Sequence, residues 1–275
     1  MQGTSYAGSY IVAECPLTAA QQLDLRNGYR LLPYAVTESL ENTRRKLSVA
    51  LWLLRQKPVR IALFGDAYCR SVYEMFTARH KKLPLTRRKS FGVALRDLDV
   101  KPANLFGGPR FELLRRKVRR ARRLGYTFRR FDPQERLNEI VRVNGSTAIR
   151  QRRAIQPRYL DPVQVASYCA APGAWYGVFD ADQVLRGYCH TPMIGDCGLF
   201  SRILGDAESL NDGIMYLLVF ETLGEMHKLL SQTGHPRWAM YDMFLGGSQG
   251  LRDFKHRCGF DPYRVTWHWH RDRSG

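Results

Sequence analysis

Residues 246–263 read Gly246-Gly247-Ser248-Gln249-Gly250-Leu251-Arg252-Asp253-Phe254-Lys255-His256-Arg257-Cys258-Gly259-Phe260-Asp261-Pro262-Tyr263: a glycine turn, a short helix and a tight exit into a last strand. A Gly-Gly-Ser opening frees backbone N–H groups to face an anion or an oxyanion, and Ser248 can cap the helix that follows. Leu251, Phe254 and Cys258 fall three and four apart, so one face of this helix docks on a core, and Gly259 supplies a left-handed exit. Lys255 then projects from the edge of a short, anchored helix. Just upstream, Trp238-Ala239-Met240-Tyr241-Asp242 is an apolar run ending on a carboxylate at the mouth of the turn. Asp242 can orient an amine or accept its proton there, or it can tie down the N–H groups of the loop. Tyr241 and Tyr263 can donate a proton to a leaving group, although aromatics in strands more often belong to a core.

Positive charge gathers in Arg110, Arg115, Arg116, Lys117, Arg119, Arg120, Arg122 and Arg123, followed by Arg129 and Arg130. Solvated helix faces usually mix signs for i, i+4 pairing, yet Glu112 is the single acid in this helix, so mutual repulsion is tolerated. That favours an anion-binding face over a bland surface. Guanidinium forks grip phosphates bidentately, which suits a tRNA backbone or the phosphopantetheine of a carrier. Arg150, Arg152, Arg153 and Arg158 continue the theme.

The 275 residues are 44% hydrophobic, enough to bury a substantial core as one large domain or one domain with an N-terminal extension. A formal charge of +18 and a pI near 10.0 make anionic partners the natural ones. Six cysteines without a Cys-x-x-Cys pair encode neither a zinc ribbon nor a redox motif, and read as reduced thiols of a cytoplasmic protein. No secretory signal pattern opens the chain, and the apolar run Leu47 to Leu54 is too short to span a bilayer.

Periodicity predicts helices over residues 38–55, 66–80 and 111–124, the last with Phe111, Leu114, Val118, Ala121 and Leu124 inward. Strands are expected at 59–64 and 90–98. The basic, proline-containing stretch Lys81 to Lys89 marks a boundary between residues 1–88, an extension or incomplete subdomain, and a domain at 89–275. Asp132-Pro133 and Asp161-Pro162 read as helix starts. An antiparallel meander is expected over 175–179, 184–191 and 198–204, followed by a helix at 212–231, a strand at 238–244 and a strand at 264–270. His268 and His270 share a face of that last strand, which reads as an edge strand rather than a metal site.

Three patches resemble the acyltransferase domain of the Fem-type peptidoglycan aminoacyltransferases, a branch of the GNAT-like N-acyltransferase superfamily. They are Phe254-Lys255 with Gly259-Phe260 and Pro262, the Tyr241-Asp242 strand ending, and the basic helix Leu114 to Leu124 closing on Gly125-Tyr126. They extend over roughly residues 90–270. The resemblance implies an α/β (α+β) fold with a mixed, mostly antiparallel sheet flanked by helices. It also implies that Lys255 stabilises negative charge on the donor's ester or the intermediate; Asp242, Tyr241 and Tyr263 are the proton-handling candidates that the residues themselves offer. The charge run and the glycine turn with its helix themselves offer the donor contacts: Arg115, Arg116, Arg119, Arg120, Arg123, Gly246, Gly247, Ser248 and Phe254. No metal and no tightly bound cofactor is expected.

The donor implied is aminoacyl-tRNA, with acyl-CoA or acyl carrier protein behind it. Thioester-using relatives usually carry an Arg/Gln-x-x-Gly-x-Gly/Ala loop that cradles pyrophosphate at a helix N-terminus. Here the acidic Gly205-Asp206-Ala207-Glu208-Ser209-Leu210-Asn211-Asp212-Gly213 occupies that place. Fem-type proteins generally hold two such domains, and residues 1–88 are too few for a second. A cell-wall acceptor is therefore not supported, and the amine acceptor is left open among small molecules, peptides and protein N-termini. A different class stays open as well: a nucleic-acid binder without turnover, using the arginine helix on this scaffold. The scattered histidines offer no hydrolase triad.

Overall fold

A computed structural model of the chain describes residues 36–80, 87–150 and 153–270. The chain divides into two compact units, Met1–Arg44 and Arg45–Gly275, and the site lies within the second. Its elements run α1 (Val36–Arg55), β1 (Val59–Leu63), α2 (Ala67–Thr77), β2 (Phe91–Asp97), α3 (Pro102–Leu105), α4 (Glu112–Arg123), β3 (Thr127–Arg130) and α5 (Leu137–Gly145). They continue as β4 (Ile149–Arg150), β5 (Arg153–Ala154), α6 (Pro162–Cys169), β6 (Ala174–Phe179), β7 (Leu185–Thr191), β8 (Met193–Ile194), β9 (Cys197–Leu199) and β10 (Arg202–Gly205). Last come α7 (Ile214–Thr233), β11 (Trp238–Met243), α8 (Gln249–Arg257) and β12 (Asp261–Trp269). The result is the mixed α/β class, with sheets flanked by helices.

Two main sheets carry the fold: six strands in the order β1-β12-β2-β11-β9-β8, and four in the order β10-β7-β6-β3. β2 sits between β12 and β11, antiparallel to both, and its middle residues are buried on both faces rather than alternating, because helices cover the sheet on each side. Val93 and Leu95 pack with α2, whereas Ala94 faces α4 and α7. Strands on both sides of the 88/89 boundary share this sheet, because β1 lies parallel to β12.

The expected meander divides between the sheets. β7 ends at Thr191, and after Pro192 the chain continues as β8 in the other sheet. The predicted 198–204 strand splits as well: the Phe200 N–H donates to Met240 O in β11 (2.9 Å), while the Ser201 N–H donates to His190 O in β7 (3.0 Å). β11 therefore runs parallel to β9 only as far as Leu199 and then loses that neighbour. The last strand is longer than expected and is no edge, since β12 lies between β1 and β2 and buries Val265 and Trp267.

Cores form on each layer. Leu114, Val118 and Ala121 of α4 meet Ile214, Leu217 and Leu218 of α7, but Leu124, expected inward, lies past the helix end and is half exposed. Ile140 and Val143 of α5 and Val165 of α6 cover the outer face of the four-stranded sheet. Asp161 caps α6 by accepting from the Val163 N–H at 2.9 Å. The described cysteines, Cys69, Cys169, Cys189, Cys197 and Cys258, are buried free thiols. Among the described residues no helix is long and apolar enough to cross a membrane.

A charged clamp ties α4's approach to β12. Arg110 grips Asp261 with two hydrogen bonds of 3.0 and 2.7 Å, and His256 Nδ1 lies 3.0 Å from the same carboxylate. His256 and Arg110 together hold the Asp261 carboxyl below its ordinary pKa against the opposing effect of burial. Asp261→Asn keeps the shape but removes the buried carboxylate's charge from Arg110 and His256, leaving Arg110 its bond to His256 O. It is expected to lower unfolding stability by about 2–4 kcal/mol in urea melts at pH 7. Because a depressed carboxyl stabilises only while ionised, the gap between wild type and variant should close as pH falls through the acid range.

Candidate functional site

The glycine turn forms as its residues dictate. Ser248 is extended at φ −63°, ψ 164°, and its hydroxyl accepts from the Leu251 N–H at 3.4 Å, starting α8. Gly259 ends it with φ 89°, and a Cβ there would come 2.7 Å from a guanidinium nitrogen of Arg96, so only glycine serves. Arg96 is itself buried between Phe106 and Phe111 and donates to the Cys258 and Leu105 carbonyls. At the other end of α8 the buried Arg252 donates to Gly247 O at 2.6 Å and to Gln249 Oε1 at 2.5 Å. Two buried arginines thus fix both termini of the helix.

Held this way, Lys255 is not the edge residue that helix spacing implies. It is 2% exposed. Its Nζ donates to Met243 O at 2.9 Å and stands 4.7 Å from the centre of the Tyr241 ring, a cation–π arrangement. Burial pushes its pKa down to about 8, with the nearby Asp242 charge opposing that shift and Lys89 adding to it.

Asp242 stands beside it in an uncommon backbone state, φ 51°. The β11–β2 register shifts between Met240 and Met243, and this bulge turns the Asp242 carboxylate outward, 61% exposed, where it pairs with Lys89. Lys89 is the functional candidate that sequence reasoning passed over. It lies 153 positions away, and its backbone carbonyl is gripped by Trp267 Nε1 at 2.5 Å. Nothing in the local pattern around residue 89 could have announced that partner.

Tyr241 forms the wall of the site. It stacks on Phe200 at 5.6 Å and 12°, and meets Phe260 edge-on at 5.5 Å. Burial holds its phenol far above the ordinary tyrosine pKa, so it is a poor proton donor. Tyr263 faces the other side of the sheet, against Trp238 at 5.7 Å, with the core over α2. The structure therefore does not bring it to Lys255. Phe254 packs on Tyr216 at 4.9 Å as a core residue. The Gly247 N–H is directed to Phe244 O at 3.3 Å, an internal turn bond, while Gly246 is exposed at the tip.

The arginine helix is partly spoken for. Arg115 donates to the Phe106 and Gly108 carbonyls at 2.6 and 3.0 Å, Arg120 lies 3.4 Å from Asp212, and Arg122 lies 2.5 Å from Glu221. Arg116, Arg119 and Arg123 are exposed and pair with no acid among the described residues.

The turn before α7 is filled from within. Asp206 is buried and lies 2.8 Å from Arg142 and 3.1 Å from Arg186, which hold its carboxyl below the ordinary pKa against burial. Asp212 accepts from Tyr126 Oη at 2.9 Å. Gly213, at φ 94°, passes so close to α4 that a Cβ would come 2.7 Å from Lys117 O. The N-terminus of α7 is thus covered by α4 and flanked by a carboxylate. Among the described residues no group of three or more His, Cys, Asp or Glu is placed to hold a metal ion.

No family model and no curated protein matches the sequence. The chain is similar to the C-terminal domain of a protein described as a lysylphosphatidylglycerol synthetase from Agrobacterium fabrum, at 14% identity and TM-score 0.43, covering 62% of this chain and 58% of that one. It is similar to L-PGS from Bacillus licheniformis at 17% identity and TM-score 0.43, covering 62% and 58%. It is also similar to FemX at 12% identity and TM-score 0.45, covering 63% and 59%. The matched region spans less than two thirds of each of those chains, and a Fem-type protein is among its structural neighbours.

Proposed function

We propose that this chain is a GNAT-like N-acyltransferase that moves an aminoacyl group from charged tRNA to an amine. One observation carries the reading: the amine of Lys255 is buried at the C-terminal end of β11, facing the Tyr241 ring and close to Asp242, with its pKa pushed down to about 8. In aminoacyl transfer the acceptor amine adds to the ester carbonyl, negative charge grows on the carbonyl oxygen, and the ribose hydroxyl leaves with a proton. The Lys255 ammonium, 2% exposed and already donating to Met243 O, would steady that oxygen or the leaving alkoxide through its field rather than by direct contact. Asp242, turned outward and held by Lys89, is the group that would orient the incoming amine and take its proton. Tyr263 and Phe254 drop out of the chemistry and serve the cores described above.

Charged tRNA is favoured over CoA because the helix terminus that would cradle a pyrophosphate is occupied. Asp212 and the backbone of Lys117 stand there, and the buried Asp206 network fills the preceding turn. The exposed Arg116, Arg119 and Arg123 instead offer a ridge suited to a phosphate backbone.

Lys255→Met, close in shape but without charge, is expected to lower kcat for transfer from charged tRNA by about 10²-fold or more while circular dichroism stays native. Full activity in the folded variant would sink the assignment. The same variant tests the burial of the amine. Folded Lys255 releases its proton near pH 8, whereas the unfolded side chain holds one to its ordinary 10.5. Below pH 8 the native state bears the full cost of the buried charge, and that cost is relieved as pH climbs toward 10.5. The melting-temperature difference between wild type and Lys255→Met should therefore move in favour of wild type across that window, and a flat difference would refute the shift.

A triple Arg116→Ala/Arg119→Ala/Arg123→Ala protein should bind tRNA more weakly, with the log Kd against log salt slope reduced by about 2–3. Its unchanged affinity for tRNA would remove the ridge from the donor site. Binding of tRNA by wild type without any transfer to a panel of amines would favour the non-enzymatic reading.

A further inference from the structure

We infer that the outward face of α1 is a docking surface for an anionic lipid bilayer. The second half of this helix is apolar on two sides. One side carries Leu53, 1% exposed, into the body of the unit. On the other, Leu47, Leu51 and Leu54 fall four and three apart, and stand 57%, 53% and 60% exposed. Among the described residues they are the one run of three large exposed hydrophobics at helical spacing. A stripe of this kind is a site for something to cover, since exposed leucines scattered singly need no explanation but a row of them does.

The helix is also anchored so that the stripe must stay outward. Arg264 of β12 donates to Leu54 O at 3.0 Å and to Gln56 O at 3.1 Å, satisfying carbonyls of the last turn. With Leu53 buried behind it, the last turn cannot roll its leucines inward without stranding those groups.

Charge selects the occupant. Arg55, Lys57 and Arg60 lie at or just beyond the end of the helix that carries the stripe, and all three are exposed. A second copy would bring like charges against one another, on a chain that already carries +18. A bilayer surface with anionic headgroups accepts the leucines among its acyl chains and the long basic side chains among its phosphates at once. The surface shares no residue with the Lys255 site.

Co-sedimentation with phosphatidylcholine vesicles, with and without about one third phosphatidylserine, tests this. Wild type should partition onto the phosphatidylserine vesicles and less onto pure phosphatidylcholine. Leu47→Asp/Leu51→Asp should lower partitioning onto phosphatidylserine vesicles about tenfold or more, with no loss in melting temperature because both positions are exposed. If this variant, which keeps every basic residue, binds as tightly as wild type, the attraction is the general charge of the chain and the inference fails. If light scattering shows wild type to be a dimer that the variant abolishes, while vesicle binding is equal, the stripe is a contact between copies and the inference again fails.

Discussion

An ammonium taken out of water must be compensated by groups the fold supplies, and the segment from β11 to β12 is organised around one such ammonium. Lys255 has a backbone carbonyl, the face of an aromatic ring and a neighbouring carboxylate, and no buried counter-ion. These are weak compensations, which is why its proton is held less tightly than in water. They hold only if α8 keeps its position to within a fraction of an ångström relative to the end of β11. The two buried arginines supply that precision from opposite ends. Arg252 grips the glycine turn, and Arg96 grips the exit and is itself stacked between Phe106 and Phe111.

The space for such a site comes from a change of partner in the sheets. After Leu199 the chain leaves β11 and joins β7, so the far half of β11 has lost the neighbour on that side. Phe200, Tyr241, Phe244 and Phe260 fill the gap with rings rather than backbone bonds. Ring faces make a wall that is polarisable and carries no donors of its own, so the Lys255 amine can lie over the face of Tyr241. The bulge at Asp242 follows from the same divergence: a strand free on one side can turn a residue through a left-handed backbone state and project it outward.

Much of this was legible in the sequence wherever the cause is local. The caps at Asp161 and Ser248, the Gly259 exit, and the inward stripe Leu114, Val118 and Ala121 all lie within a few residues of what dictates them. What could not be read depends on long-range packing. Residues 198–204 look like one strand, and only competition between Met240 and His190 for successive N–H groups divides them. Trp267-His268-Trp269-His270 alternates as an edge strand would, but the pairing of β1 with β12 places it inside the sheet. The spacing that puts Lys255 on a helix edge says nothing of the β11 end that closes over it. Lys89 meets Asp242 only because β2 lies beside β11.

The arginine helix shows how a charge run can be structural and available at once. Part of its charge is met by carbonyls and acids: Arg115 by the Phe106 and Gly108 carbonyls, and the exposed Arg120 and Arg122 by Asp212 and Glu221. Each of those pairings draws α4 against α3 or α7, and together they bring Lys117 over the N-terminus of α7. The same packing that closes one anion site therefore leaves Arg116, Arg119 and Arg123 on the outside, their repulsion unrelieved by any acid among the described residues. The N-terminus of α7 is given over to packing, and the unpaired positive charge of this region lies on an extended surface. Under the proposed donor, that geometry would discriminate by size: a long polyanion can touch several guanidinium groups at once, whereas a single pyrophosphate would find little to hold it.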